Sequence, residues 1–267
     1  MLRGASAEAM ATLTDQLGKP ATLADAATIG DELFSIADLL RGNAALRRFA
    51  TDASLEAQAK QGFARQAFEG KMSAASLGIV ETAFGHRWTS QRDLADVLER
   101  LSEIAIAKST GAKAGQLADE LFGVGRLLAD NPELRDALAN PGRSVDDRLA
   151  LVDTVLGGQV LPATATLTKQ ALAGTYGTLT ASLEVYRSIV ADTVGEGVAT
   201  VRVAQPLADK ERERLRESLS QQYGREIHIN EVVDPDVIGG IRVDIGDDVI
   251  DGTVAGRLDD ARRRLVG

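Results

Sequence analysis

The sequence predicts a mainly α-helical chain with a small α+β C-terminal domain: two tandem helical bundles followed by a β-hairpin and helix module. Three observations carry that prediction. Apolar residues recur at helical spacing through the first 195 residues, part of that text is written twice, and between Ile227 and Ile250 the apolar period shortens to two.

The first helix is expected over Ala7–Leu17, with Met10, Leu13 and Leu17 on one side and Gly18 and Pro20 ending it. A second starts near Leu23, carries Ile29, Leu33, Ile36 and Leu40, and stops at Gly42-Asn43. Shorter helices fit Ala44–Ala50 and Leu55–Phe68, the latter closed by Gly70, and two more fit Ala74–Trp88 and Gln91–Ile106. The links are of the length that bundles use.

The text then repeats. Asp31-Glu32-Leu33-Phe34 returns 88 residues on as Asp119-Glu120-Leu121-Phe122. The same shift places Leu39-Leu40 on Leu127-Leu128, Asn43 on Asn131, Leu46-Arg47 on Leu134-Arg135, Phe63 on Leu151, Gly70 on Gly158 and Trp88 on Tyr176. One ungapped shift over so many positions marks a duplicated segment. Asn131 before Pro132, and Ser144 three residues before Asp147, are expected helix N-caps in the second copy. The expected division is therefore 1–106, 107–195 and 196–267.

In the third part, Ile227 to Glu231 alternate apolar with polar as a strand with one buried face does. Asp234-Pro235 interrupts the run, because proline has no amide hydrogen to donate. Gly239-Gly240 allows positive φ or close backbone approach. Ile241, Val243 and Ile245 form a second alternating strand, Gly246-Asp247-Asp248 a tight turn, and Val249-Ile250 a short third strand. Beyond Asp251-Gly252 the spacing of Val254, Leu258, Ala261 and Leu265 returns to that of a helix, with Asp251 or Thr253 as its N-cap.

Composition narrows the function. Apolar residues make up 44% of the 267 residues but aromatics only 4%, which favours closely packed helices over a ring-lined ligand pocket. There is no cysteine, hence no disulfide, thiolate metal site or cysteine nucleophile. A formal charge of −9 disfavours broad contact with nucleic acid or anionic lipid. No apolar run approaches the ~20 residues a spanning helix needs. The opening MLRGASAEAM shows no signal peptide, so a soluble chain is expected whose membrane association comes through a partner.

Catalytic chemistry finds little support. Asp234, Asp236, Asp244, Asp247, Asp248 and Asp251 lack the spacing of a calcium loop and read as turn and capping residues. His86 and His228 have no acid or nucleophile at readable spacing and read as surface or interface residues. No phosphate-binding glycine loop is present, and Gly123-Val124-Gly125 sits within a helical repeat. Arg262-Arg263-Arg264 reads as a solvated helix end. No catalytic, cofactor or metal residue is expected.

The stretch VDPDVIGGIRVDIGDDVIDGTVAGRL, with Asp234, Pro235, Gly239, Gly240, Gly246, Asp247, Asp251 and Gly252, resembles the C-terminal signature of the delta subunit of rotary ATP synthases, the oligomycin-sensitivity-conferring protein of mitochondria. Val201–Leu207 looks like the strand leading into a family helix, and Leu215, Leu219 and Tyr223-Gly224 look like that helix and its stop. The second bundle resembles the family's ordinary N-terminal domain. The first resembles an extra copy known from actinobacterial members, some of which are also joined to a b-like membrane segment not seen here.

The resemblance implies a non-enzymatic stator subunit at the cytoplasmic face of the bacterial plasma membrane. It would join the alpha subunits of the catalytic head to the b subunits of the peripheral stalk and resist rotor torque. Family members hold an N-terminal segment of alpha between the first and fifth helices of the bundle and grip b with the C-terminal domain. Projected here, that groove implies Met10, Leu13, Leu17, Ile79, Ala83 and Phe84 in the first bundle, and Leu101, Ile104, Leu167, Ala171 and Leu172 in the second. Any of these is also readable as plain bundle core. Trp88 is a further candidate, because large aromatics concentrate at binding hot spots; its alternative is a ring closing the bundle. The other readings of the chain are a helical-repeat adaptor and, more remotely, an unknown hydrolase or nucleotide binder. What the extra bundle holds, a second alpha segment or a stalk helix, is open at this level.

Overall fold

Each expected helix of the first bundle forms, and the glycines and caps explain where each stops. The computed structural model describes residues 2–18, 20–194, 197–223, 227–234, 237–245 and 248–254. The C-terminal helix expected beyond Val254, Arg262–Arg264, and Gly224, Pro235, Asp236, Gly246 and Asp247 lie outside the described residues. The helices are α1 (Ala5–Leu17), α2 (Leu23–Gly42), α3 (Ala44–Thr51), α4 (Ala57–Phe68), α5 (Ala74–Gly85), α6 (Asp93–Ser109), α7 (Ala114–Asp130), α8 (Pro132–Ala139), α9 (Val145–Leu156), α10 (Pro162–Ala173), α11 (Leu179–Val194) and α12 (Asp209–Tyr223). A single 3₁₀ turn, Gly111–Lys113, precedes α7. The chain divides into two compact units, Met1–Ile189 and Val190–Gly267.

Local chemistry sets the helix ends. Thr22, Asn43 and Ser73 accept from the amides of Asp25, Leu46 and Ser76 at the starts of α2, α3 and α5. Ser144 does the same for α9, accepting from Asp147 N at 3.1 Å while its hydroxyl donates to the Asp147 carboxylate at 2.7 Å. Asn131 does not cap as expected. It holds the N-cap position ahead of Pro132, but its Nδ2 turns back to donate to the Leu127 carbonyl at 2.8 Å, serving the end of α7 instead. α5 ends at Gly85 rather than Trp88. The Trp88 indole N–H donates to the Ala83 carbonyl at 3.0 Å and satisfies one of the acceptors left by the last turn.

The duplication is structural. α3, α4 and α5 coincide end for end with α8, α9 and α10 under the 88-residue shift, and α2 coincides with the 3₁₀ turn plus α7. Side-chain chemistry repeats as well. Glu32 accepts from the Ser73 amide at 2.9 Å and hydroxyl at 2.7 Å, tying α2 to the start of α5. Glu120 accepts from the Leu161 amide at 2.7 Å and the Thr164 hydroxyl at 2.5 Å, tying α7 to the start of α10.

α6 belongs to both copies. It follows α5 as the last helix of the first, and it begins 88 residues after α1 as the first helix of the second. The expected border after Ile106 falls inside it. Leu94, Ala95, Val97, Leu98, Leu101, Ala105, Ile106 and Ala107 are all buried, and no residue of α6 is exposed, so this helix is covered on every side, its polar groups Glu99, Ser102 and Glu103 included. Gly30 lets α2 come close along it: a Cβ at 30 would stand 2.5 Å from the Ile106 side chain.

The second unit is built on a four-stranded sheet, β1 (Gly197–Val203), β2 (Ile227–Val233), β3 (Ile241–Ile245) and β4 (Asp248–Asp251), in the order β2-β1-β3-β4. The strand expected over Val201–Leu207 is β1, which ends at Val203 and lies centrally, parallel to β2 and antiparallel to β3. A hairpin plus helix is therefore only half of this module; β1, α12 and β2 add a parallel crossover. Ala199, Val201 and Val203 alternate onto one face and meet Val243, Ile245, Ile227 and Leu219 of α12 in a common core. The alternation expected of β2 breaks at Asn230, which is 2% exposed, while Val233 is exposed. Both faces of the strand are therefore covered at its middle.

Candidate helix-binding grooves

The first groove lies where α1, α2 and α5 meet. A cavity of about 400 Å³ is lined there by Gln16, Leu17, Ile29, Ala74, Gly78 and Ile79 among others. Of the residues projected for it, Leu13, Leu17, Ile79, Ala83 and Phe84 are buried in the core of the first copy, and Met10 and Trp88 are half-buried against that core. In the second copy Leu101, Leu167 and Ala171 are buried, while Ile104 and Leu172 are half-buried. Ile104 and Leu101 pack with the core of the first copy, because both sit on the shared α6. Ala171 and Leu172 line a different hollow of about 310 Å³, together with Arg135 and Arg148.

The second groove, between α6 and α10, is bounded by α2. Leu23, Ala24 and Ala27 of α2 share a cavity of about 510 Å³ with Ser109, Lys113, Leu161, Pro162 and Ala163. The last five stand 88 residues after Ala21, Asp25, Ser73, Ala74 and Ala75, which line the first groove.

A buried polar seam on α6 has no counterpart in the sequence reading. Glu99 pairs with Arg41 of α2 and accepts from the Thr175 hydroxyl at 2.8 Å. Glu103 accepts from the Tyr176 hydroxyl at 3.2 Å, and the Tyr176 ring meets Tyr186 edge-on at 5.9 Å. Burial, reinforced by the neighbouring Glu99, pushes the Glu103 carboxyl up to about 8. Burial also raises Glu99 and both tyrosines. Sequence gives little signal for this seam, because Glu99 and Glu103 stand among Asp93, Asp96 and Arg100 on the same helix and differ from them only in what they meet. Lys60 was likewise missed: it is 2% exposed, its ammonium donates to the carbonyl of half-buried His86 at 3.2 Å, and burial lowers its pKa.

The signature residues of the second unit converge. Gly239 and Gly240 have φ of +68° and +87°, and a Cβ at 240 would stand 2.5 Å from the Gly252 carbonyl and 2.8 Å from Thr253 Cα. The Gly252 amide donates to Ile241 O at 2.9 Å and the Val254 amide to Gly239 O at 3.1 Å. Asp251 accepts from the Thr253 amide at 2.9 Å and hydroxyl at 2.6 Å, which hold its carboxyl below the usual range. Asp234 continues the β1–β2 pairing through its amide, which donates to Val203 O at 2.8 Å. The glycines thus let the strand entering β3 lie directly against the strand leaving β4.

The family model for the ATP synthase delta (OSCP) subunit matches residues 101–265, from the middle of α6 onward. The chain belongs to this family. It is 48% identical to ATP synthase subunit delta of Nocardioides sp. (strain ATCC BAA-499 / JS614), over all of this chain and 98% of that one. It is 41% identical to that of Kineococcus radiotolerans, over 91% and 90% of the two chains, and 36% identical to that of Streptomyces coelicolor, over 99% and 98%. These relatives therefore match the first helical copy as well, which the family model does not reach. Among solved structures, a chain of the Toxoplasma gondii mitochondrial ATP synthase hexamer aligns over 62% of this chain and 97% of its own, with 20% identity and a TM-score of 0.34, too distant to carry an argument. Among the described residues, no helix is long and apolar enough to cross a membrane.

Proposed function

We propose that the chain is a non-catalytic stator subunit of an ATP synthase, tying the alpha subunits of the catalytic head to the b subunits of the peripheral stalk. The observation that carries this reading is the combination, in one chain of this family, of a helical repeat with an open apolar groove beside α1 and α5 and a β-module closed by the Gly240–Gly252 contact. The groove suits an amphipathic helix, so the N-terminal segment of an alpha subunit is its proposed occupant. The β-module is the proposed grip on b. In this reading residues 1–106 and 107–195 serve as head-side repeats and 196–267 as the stalk-side module, held at the cytoplasmic face of the membrane through the complex.

Torque resistance needs attachments that do not slip. Packed helices with native core density deform little, and a shared α6 removes the hinge that a linker between two bundles would create. Purified chain mixed with alpha and b subunits is expected to retain both. Removing residues 238–265 is expected to abolish retention of b while sparing alpha. Retention of neither partner by the intact chain would contradict the proposal.

A further inference from the structure

The two copies differ in what covers their first helix. On α6, the face toward α2 includes Ser102 and Ile106, against which Gly30 packs, and Glu99, which pairs with Arg41. The counterparts 88 residues earlier are Thr14 and Ala11 on α1 and Gly18 just past its end. Thr14 and Gly18 are half-buried and Ala11 is exposed; Ala7 is exposed where its counterpart Ala95 is buried, and Met10 is half-buried where Leu98 is buried. Among the described residues, nothing covers α1 as α2 covers α6. α2 also reaches the start of α10, through Leu23, Ala24 and Ala27 beside Leu161, Pro162 and Ala163. It therefore occupies, in the second copy, the position that stands open beside α1 and α5 in the first.

We infer that α2 is the built-in occupant of the second copy's groove, so that the duplicated repeat receives one external helix, on the exposed face of α1, and not two. The internal occupant shows what the open face accepts. α2 buries Ala26, Ile29, Gly30, Leu33, Ile36, Ala37 and Leu40, an apolar stripe along one side with small residues where the backbones approach. The external helix should carry such a stripe. It needs no arginine in the role of Arg41, because Ala11 stands where Glu99 would be. Exposed Glu8 and Asp15 flank Ala11 on α1, so basic residues beside the stripe fit them.

That the occupant is an alpha segment rests on the stator reading; that α1 is the open face does not. The test counts helices bound per intact chain by native mass spectrometry, with two probes: a peptide copying residues 22–43 of this chain, and the N-terminal segment of the alpha subunit. One copy of each is expected, the two competing, with binding weakened at least ~10-fold by Ala11→Arg and by less than about 2-fold by Ala27→Arg, which alters the α2-bounded groove instead. If the 22–43 peptide binds and the alpha segment does not, the inference stands and the stator reading falls. Two helices per chain, loss of binding in Ala27→Arg but not in Ala11→Arg, or binding of neither probe would overturn it.

Discussion

Gly240 and Gly62 show how one residue type serves two ends. A side chain at 240 would meet the Gly252–Thr253 backbone at a φ of +87°, so Gly240→Ala should destabilise the second unit by about 2–4 kcal/mol in chemical denaturation. Gly62 sits inside α4 with nothing near its missing Cβ, and Gly62→Ala should stabilise by about 0.5–1 kcal/mol. Glu103 supplies a pH dependence. Its folded-state pKa is about 8 against an ordinary 4.5, so the stability it contributes is complete below pH 4.5 and is lost as pH rises toward 8. The slope in that window is at most about 1.4 kcal/mol per pH unit. Glu103→Gln cannot ionise, so its melting temperature should exceed that of the unaltered chain by more at pH 8 than at pH 5. Equal differences at both pH values would mean that Glu103 is ionised in the folded chain.

At the scale of elements, the Glu32 and Glu120 anchors are separate copies of one device, each holding a helix start by two hydrogen bonds. Replacing either with alanine should cost about 1–3 kcal/mol, and the two losses should add, because the sites share no partner. The shared α6 makes a sharper prediction. A fragment of residues 107–195 lacks the first helix of its bundle and should show no cooperative unfolding by circular dichroism, whereas residues 90–195 should. The helices were legible because their stripes and stops are local: Leu33, Leu40, Gly42 and Asn43 speak for α2 without reference to any other segment. The repeat was legible from DELF and its companions. That one helix serves both copies was not, because α6 carries Asp93, Asp96, Glu99, Arg100 and Glu103 and so reads like a helix with one solvated face. The burial of Glu99 and Glu103 depends on Arg41, Thr175 and Tyr176, which are distant in sequence. β1 and the helix it leads into are legible as well, but not the strand's central place in the sheet, because nothing local shows that Val201 pairs with both Glu231 and Val243.

The whole molecule carries two units whose cores are built differently, one of helices and one of a sheet with α12. Trp88 is the chain's single tryptophan and lies in the first unit, so its fluorescence should follow that unit alone, while circular dichroism follows both. Their denaturation curves should not superimpose; coincident curves would show one cooperative molecule. Placement in the motor is tested most directly by site-specific cross-linking, which the absence of native cysteine makes clean. In the assembled complex, Ala11→Cys on the open face of α1 is predicted to cross-link to an alpha subunit, and Ala27→Cys, on the helix that bounds the second groove, is predicted not to. A cross-link to alpha from position 27 with none from position 11 would contradict the account.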